Sequence, residues 1–583
     1  MLVDLARDHP GLVVVGYMDD TTLLGPPHLF AAAVRDLIVA AGSLGLELRL
    51  GKCHAWSRSP FPPDVVSAPD LAGVTFHPPA PSDVEGSPDA GLVICGCPIG
   101  HPDFQSAHCL SVTEKQRAPI EWVGQMADTH VGMLLLRFCC HSRYGHLLRL
   151  VQPDNCRKAA RAFDVLILDA VASLQGIHPD ALTSHVSSCK HIALPSGKGG
   201  AGLSRHAFVS ESAWLGSWAS FLALWAKASP GLPAASSTAA HLADLPASPL
   251  PVARSIVSAW ELHEQLPAIQ SCKVLLDPAG SPSISLLPRA PHRAQHFFAS
   301  ARHQQSYDHL VSPATRCSEA SAASVRSAAS LGARATMHFP ADRSLFLEPF
   351  TYRTTFALRF HLPLGRIGAL HHPYLSRAHR AYDPYGHSAI DCGSTAAPDR
   401  GGRYFTHTAV AVAVRELAQR MGYLTEPEVT GFFYAGDDRF HRRPDFVAPK
   451  ADGCFVMWDV SLVDPCASSF VAYAARHDLG AARKRDQAKR DKYDKEGDPA
   501  SCTSQGHTFV PLAMETSGAF GPSMAKWFQA FISAEREREV ARGGSGWAAT
   551  GTGIYWQQKI AAALHRSIAI RLARRMRVHG PGR

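Results

Sequence analysis

Two places in the chain set carboxylates where folding chemistry disfavours them. The first is Asp19 and Asp20 in GLVVVGYMDDTTLLGP (11–26), adjacent acids between two apolar runs. Side-by-side charges repel, and apolar flanks raise the cost of ionising both. A divalent cation relieves that conflict, and metal sites that handle phosphates are built from such acids. A surface turn, where Asp is common, explains the same residues. The flanking runs predict a hairpin with the acids at its tip. The second place is RFHRRPDFVAPKADGCFVMWDVSLVDP (439–465), where Asp445 follows basic residues and a proline and Asp459 lies inside an apolar strand. The two are 459 − 445 = 14 positions apart, a spacing that lets two strands of a hairpin bring them together at one end. An acid within an apolar strand is costly unless it is paired or holds a metal. Asp459 is therefore the more informative residue; the competing reading is a solvent-facing position on an edge strand.

A third group is His387 and Cys392 in DPYGHSAIDCG (383–393), whose spacing suits metal ligation. Upstream, HHPYLSRAHRAY brings His371, His372 and His379, and imidazole replaces thiolate readily at zinc. With 31 histidines in the chain, several falling together carry little weight by themselves.

The elements that must position these residues are unevenly distributed. Helical apolar spacing marks RKAARAFDVLILDAVASL and ESAWLGSWASFLALWAKA. SPGLPAASSTAAHLADLPASPLP (229–251) reads as a linker, and 252–345 is rich in Ala, Ser and His with weak periodicity. In ARKRDQAKRDKYDKEG (482–497) acids and bases alternate, which by itself predicts a solvated helix face. The C-terminal QQKIAAALHRSIAIRLARRMRVHGPGR (557–583) sets Arg566, Arg571, Arg574, Arg575 and Arg577 on a helix with an apolar stripe. It suits a phosphate backbone or a nuclear signal, although a basic helix that closes the fold is the plainer reading. At 583 residues the chain is long enough for three or four domains, and its net charge of +8 suits a polyanionic partner. The 14 cysteines form no regular framework, and nothing resembles a signal peptide or a spanning segment, which predicts a reducing interior and no membrane partner.

YMDD (17–20) with its apolar flanks resembles the catalytic box of reverse transcriptases, and further segments follow in order. LGLELRLGKCHAW (44–56), with Lys52 and Cys53, looks like the next palm motif. VICGCPIGHPDF (93–104) resembles the primer-grip segment of LINE-like, non-LTR retrotransposons, and LLLRFCCHSRYGHLLRLVQP (134–153) and LPSGKGGAGL (194–203) resemble their thumb. The resemblance implies that Tyr17, Asp19 and Asp20 are a remnant of the polymerase box, with Asp19 and Asp20 as Mg²⁺ ligands. In that family a further metal-binding aspartate and the fingers precede the box. Here sixteen residues precede Tyr17, and Asp4 and Asp8 lie too close to serve, so polymerase activity is expected to be lost unless an upstream segment or a partner product supplies the rest.

TYRTTFALRFHLPLG (351–365) resembles the lead-in to the small zinc motif of these retroelement proteins, of which His387 and Cys392 keep part; the family's Cys-x-x-Cys is absent. Asp445 and Asp459 resemble the metal-binding acids of the family's restriction-like endonuclease, of the PD-(D/E)xK group. GGRYFTHTAVAVAVRELAQRMGY (401–423) resembles its opening helix, with His407 in place. Residues 482–497 resemble its K-x-x-K-Y helix, with Lys489, Lys492 and Tyr493, and FVPLAMETSGAFGP (509–522) resembles a later strand and turn that includes Glu515.

The expected fold is a multidomain α+β and α/β chain. Its parts are a partial palm (1–110), a helical thumb-like region (111–228), a linker and weakly ordered region (229–345), a degenerate zinc-knuckle-like motif (346–395), a restriction-like endonuclease domain (396–545) and a basic C-terminal helix (546–583). The resemblance implies a Mg²⁺-dependent DNA endonuclease, with Zn²⁺ at the knuckle, DNA and RNA as partners and a nuclear location. In it Asp445 and Asp459 hold the metal, and Lys489 or Lys492 orients the nucleophile or steadies the phosphate. The alternative is an inactive or purely nucleic-acid-binding remnant.

Overall fold

The computed structural model describes residues 1–17, 20–79, 89–228, 251–276, 293–364, 383–391, 400–429, 443–499, 501–545 and 547–577. Helices and small sheets are mixed, and chain contacts divide them into two units: 1–118, 143–165 and 206–301 form one, and 119–142, 166–205 and 302–583 the other. Neither unit follows the expected boundaries, because both take non-contiguous segments of the helical region 111–228.

In the first unit, β1 (Val13–Tyr17) and β2 (Asp20–Leu24) pair antiparallel, with Val13 opposite Leu24 and Tyr17 opposite Asp20. Alternation turns Val14 and Leu23 onto Leu5, Leu12, Ala33 and Leu37, the last two from the helix Phe30–Ser43. The opposite face carries Val13, Val15 and Leu24 at 60%, 49% and 51% exposure. The hairpin forms as expected but is covered on one side only. Elsewhere in this unit the helices His206–Ala228, Pro251–Glu264 and Ala294–Val311 close a core of Trp214, Leu215, Trp260 and Phe298. The Asp164 carboxylate caps the first of these, accepting from the His206 and Ala207 backbone N–H groups at 2.7 and 3.0 Å.

The second unit is built on a four-stranded mixed sheet, ordered β6-β5-β4-β3, from β3 (Glu426–Pro427), β4 (Phe446–Pro449), β5 (Phe455–Val463) and β6 (Thr508–Glu515). β4 and β5 are an antiparallel hairpin, whereas β6 lies parallel to β5, the two being linked through a helix, α2 below, as parallel neighbours require. Alternation sorts the two faces. Phe446 stacks on Trp458, which Tyr423 and Trp527 meet edge-on, on one side; Val447, Met457 and Phe509 pack with Tyr493 on the other.

Four helices matter for the site. α1 (Arg400–Arg420) turns the stripe His407, Val410, Val414 and Leu417 inward. α2 (Gly480–Tyr493) packs on β5 and β6, α3 (Pro522–Ala541) on β6, and α4 (Trp547–Arg577) buries Ile560, Leu564, Ile568 and Leu572 against its neighbours. α4 is thus a closing helix, with Arg566 donating to the Phe346 carbonyl at 2.9 Å.

Residues 252–345 depart most from expectation. Apart from 277–292, which lie outside the described residues, they are largely helical and packed. In Glu319–Ala328 the buried residues are Ser321, Ala322, Ala323, Ser324, Val325, Ser327 and Ala328. Small side chains allow close approach while contributing almost no apolar periodicity, so the core signal in the sequence is faint. Buried Arg359 anchors this region by donating to the Gly199, Ala328 and Ala333 carbonyls at 3.0, 3.0 and 2.5 Å. Among the described residues no helix is long and apolar enough to cross a membrane.

Candidate metal-dependent active site

The β4–β5 ladder aligns Phe446 with Trp458. Because 446 + 458 = 445 + 459, the next rung outward sets Asp445 opposite Asp459, at the open end of the hairpin. The Asp445 backbone N–H donates to the Trp458 carbonyl at 2.9 Å. Its side chain turns back so that Oδ2 accepts from the Val460 N–H at 2.6 Å.

His407 reaches the same oxygen from α1, with Nε2 at 3.2 Å from Asp445 Oδ2 and 2.9 Å from the Val460 carbonyl. Burial pulls the His407 pKa down, but the Asp445 hydrogen bond and charge outweigh that and leave it raised. Oδ1 of Asp445 has no protein partner among the described residues.

Asp459 is 3% exposed and faces α2. Burial pushes its carboxyl above the usual carboxylate range, Lys489 opposes the rise, and Asp445 reinforces it. Lys489 Nζ forms an ion pair with Asp459 Oδ2. The Tyr493 hydroxyl sits between Asp459 Oδ1, at 3.2 Å, and the Arg443 carbonyl, at 2.8 Å.

Helix geometry explains why one lysine reaches the acid and the other does not. Ala482, Asp486, Lys489 and Tyr493 follow i, i+4, i+7, i+11 and form the inward stripe of α2. Asp486 locks that stripe, accepting from Ala513 N–H at 3.3 Å and Ser523 N–H at 3.1 Å. Lys492 lies off the stripe, is exposed, and holds its ammonium 5.0 Å from the Tyr493 ring centre.

Beside the acids opens a pocket of about 360 Å³, lined among others by His407, Val460, Ser461, Arg485, Lys489 and Arg571. Ser461 Oγ is buried without a hydrogen-bond partner among the described residues. Two carboxylates are an oxygen donor set suited to Mg²⁺. The free Asp445 Oδ1 and the cost of a buried Asp459 charge fit a cation there.

The remaining residues singled out in the sequence lie elsewhere. Glu515 sits at the far end of β6, opposite Val463, where Pro511 is opposite Asp459. Four residues of strand rise separate it from the acids by about 13 Å. It is 1% exposed, accepts from the Ala482 N–H at 3.1 Å, and burial pushes its carboxyl up to about 7. Asp20 is exposed at the start of β2, and Asp19 lies outside the described residues, as do Cys392, His371, His372 and His379. Tyr17 ends β1.

His387 is buried near the C-terminal end of β5, with Nδ1 at 2.9 Å from Asp464 Oδ2 and Nε2 at 3.4 Å from His361 Nδ1. His361 and Cys466, whose donor atoms lie within 4.8 Å of it and of one another, come from segments in which the spacing around residue 387 carries no signal of contact.

The chain matches no protein-family model and no curated protein.

Proposed function

We propose that residues 396–545 form a Mg²⁺-dependent DNA endonuclease domain of the restriction-like, PD-(D/E)xK type, within a protein derived from a non-LTR retrotransposon reverse transcriptase. The observation that carries this reading is the Asp445–Asp459 pair on facing strands, with Lys489 drawn to it from α2. A bound Mg²⁺ would activate water and stabilise charge on the leaving oxygen. Asp445 and Asp459 would hold the ion. Lys489, already beside Asp459, would pair with a phosphate oxygen or orient the nucleophile. His407 holds Asp445 in place, and Tyr493 holds Asp459. Arg485 and Arg571 in the adjoining pocket suit a polyanionic strand. On this reading the partners are DNA and RNA, the working compartment is the nucleus, and the β1–β2 hairpin is a relic of the polymerase palm.

The test is nicking of supercoiled DNA by the full chain in Mg²⁺, with DNA affinity measured separately at fixed salt. Wild type nicks, and Asp459→Asn does not while still binding. A folded wild-type chain that binds DNA but cleaves no substrate in Mg²⁺ or Mn²⁺ leaves the remnant reading in its place.

A further inference from the structure

Beyond the C-terminal end of β5, three side chains from distant parts of the chain converge: His361, His387 and Cys466. We propose that they form a zinc site, with Asp464 as the residue that orients it. The donor atoms of the three lie within 4.8 Å of one another. His361 Nδ1 and His387 Nε2 are already 3.4 Å apart, close to the span of two ligands on one tetrahedral zinc with bonds of about 2.0–2.1 Å to nitrogen.

Each ligand is held by something other than its neighbour in the cluster. Asp464 Oδ2 takes His387 Nδ1 at 2.9 Å, the carboxylate–histidine arrangement that points the other ring nitrogen at a metal. The second oxygen of Asp464 accepts from the Cys466 N–H at 3.0 Å and from the Thr516 hydroxyl at 3.3 Å, fixing the turn that presents the thiol. The His361 ring stacks on Tyr385 at 3.9 Å and 12°. Its backbone takes φ +50°, the left-handed conformation that ends the helix Pro349–Arg359, with the Leu362 N–H donating to the Ala357 carbonyl at 2.8 Å. Without a metal, the two imidazoles share at most one N–H···N bond, and the Cys466 thiol hydrogen-bonds with His387 and donates to the Ala320 carbonyl at 3.4 Å. That arrangement satisfies the atoms but gives no reason for one carboxylate serving two of the three residues. Two imidazoles and a thiolate suit zinc, and with three protein ligands the fourth position is left to water or a ligand.

The site stands apart from the nuclease reading, since it shares none of the Asp445, Asp459 or Lys489 side chains. The full chain, purified without chelator, is expected to hold about one zinc per chain. Replacing that zinc by Co²⁺ should give a thiolate-to-cobalt charge-transfer band that Cys466→Ser removes and His361→Asn weakens, with Asp459→Asn leaving it intact. In wild type, zinc should protect Cys466 from alkylation, read by mass spectrometry; this arm stands even if the variants fail to fold. A folded chain that takes up neither metal, a band that survives in Cys466→Ser, or equal alkylation with and without zinc overturns the site.

Discussion

Two hairpins among the described residues, β1–β2 with Asp20 and β4–β5 with Asp459, carry acids and have little else in common. Among the described residues, β1–β2 pairs only with itself, leaves one apolar face open and exposes Asp20. β4–β5 lies in a four-stranded sheet with β6 beside it and helices on both faces, and Asp459 is enclosed with a lysine and a tyrosine on its oxygens. An acid in water costs little to ionise and answers weakly to its neighbours; an enclosed one is strongly affected by every charge around it. The difference teaches that a pair of carboxylates becomes a candidate site when the surrounding layers remove water and supply counter-charge.

The largest expected effect is on cleavage. Asp459→Asn should lower nicking on the order of 10³-fold, the scale of losing a group that steadies developing charge. Asp20→Asn should leave nicking unchanged. Equal losses from the two variants in the same gel assay would erase the contrast between the hairpins.

Stability should divide in the same way. Trp458 is fully buried, and Trp458→Ala is expected to cost about 3–5 kcal/mol in chemical denaturation. Val15 is 49% exposed, and Val15→Ala should stay within about 0.5 kcal/mol.

The buried end of the sheet predicts a pH dependence that the open hairpin lacks. Burial raises the Glu515 carboxyl from its ordinary 4.5 to about 7, so the folded chain binds more protons than the unfolded chain between those values. Stability should therefore fall as pH rises from about 4.5 to 7, by roughly 3 kcal/mol from this group at most. Glu515→Gln should flatten that part of the melting-temperature profile. An unchanged slope would show that the carboxyl is not held in the way the packing implies.

A finer contrast lies within α2. Lys489→Met should reduce nicking by about a hundredfold. Lys492→Met, on the exposed side, should change it by about twofold at most. Reversal of that order would move the phosphate-binding role to the outer lysine. Smallest of all is the effect expected at the polymerase relic: no template-dependent primer extension, with or without Asp20→Ala. Extension that disappears in that variant would show that the open hairpin does hold metal.

Local elements were legible in the sequence because local rules govern them. Apolar alternation and a turn mark both hairpins, and the Pro-Asp step and the strand around Trp458 fall where β4 and β5 begin and run. The 14-residue separation of the acids is enough to align Asp445 with Asp459, since an antiparallel ladder ties its register to its turn. Helical spacing likewise marked the helices Pro153–Gln175 and His206–Ala228 and α4. The choice of Lys489 over Lys492 was also present in the sequence, in the stripe Ala482, Asp486, Lys489 and Tyr493, but alternating charges hid it. The Ala- and Ser-rich stretch before residue 345 was illegible because its core is made of residues that periodicity does not count.

What only the tertiary structure decided is which distant residues meet. Near His387, sequence spacing pointed to Cys392, which lies outside the described residues. The fold instead sets His361 and Cys466 beside it, one from the end of a helix and one from the turn after β5. It also separates Glu515 from the paired acids and leaves one hairpin open while enclosing the other. Sequence periodicity reports the face a residue takes within its own element. The neighbours across that face depend on how the layers stack, which is set by the burial of the whole unit, and no spacing along the chain encodes it.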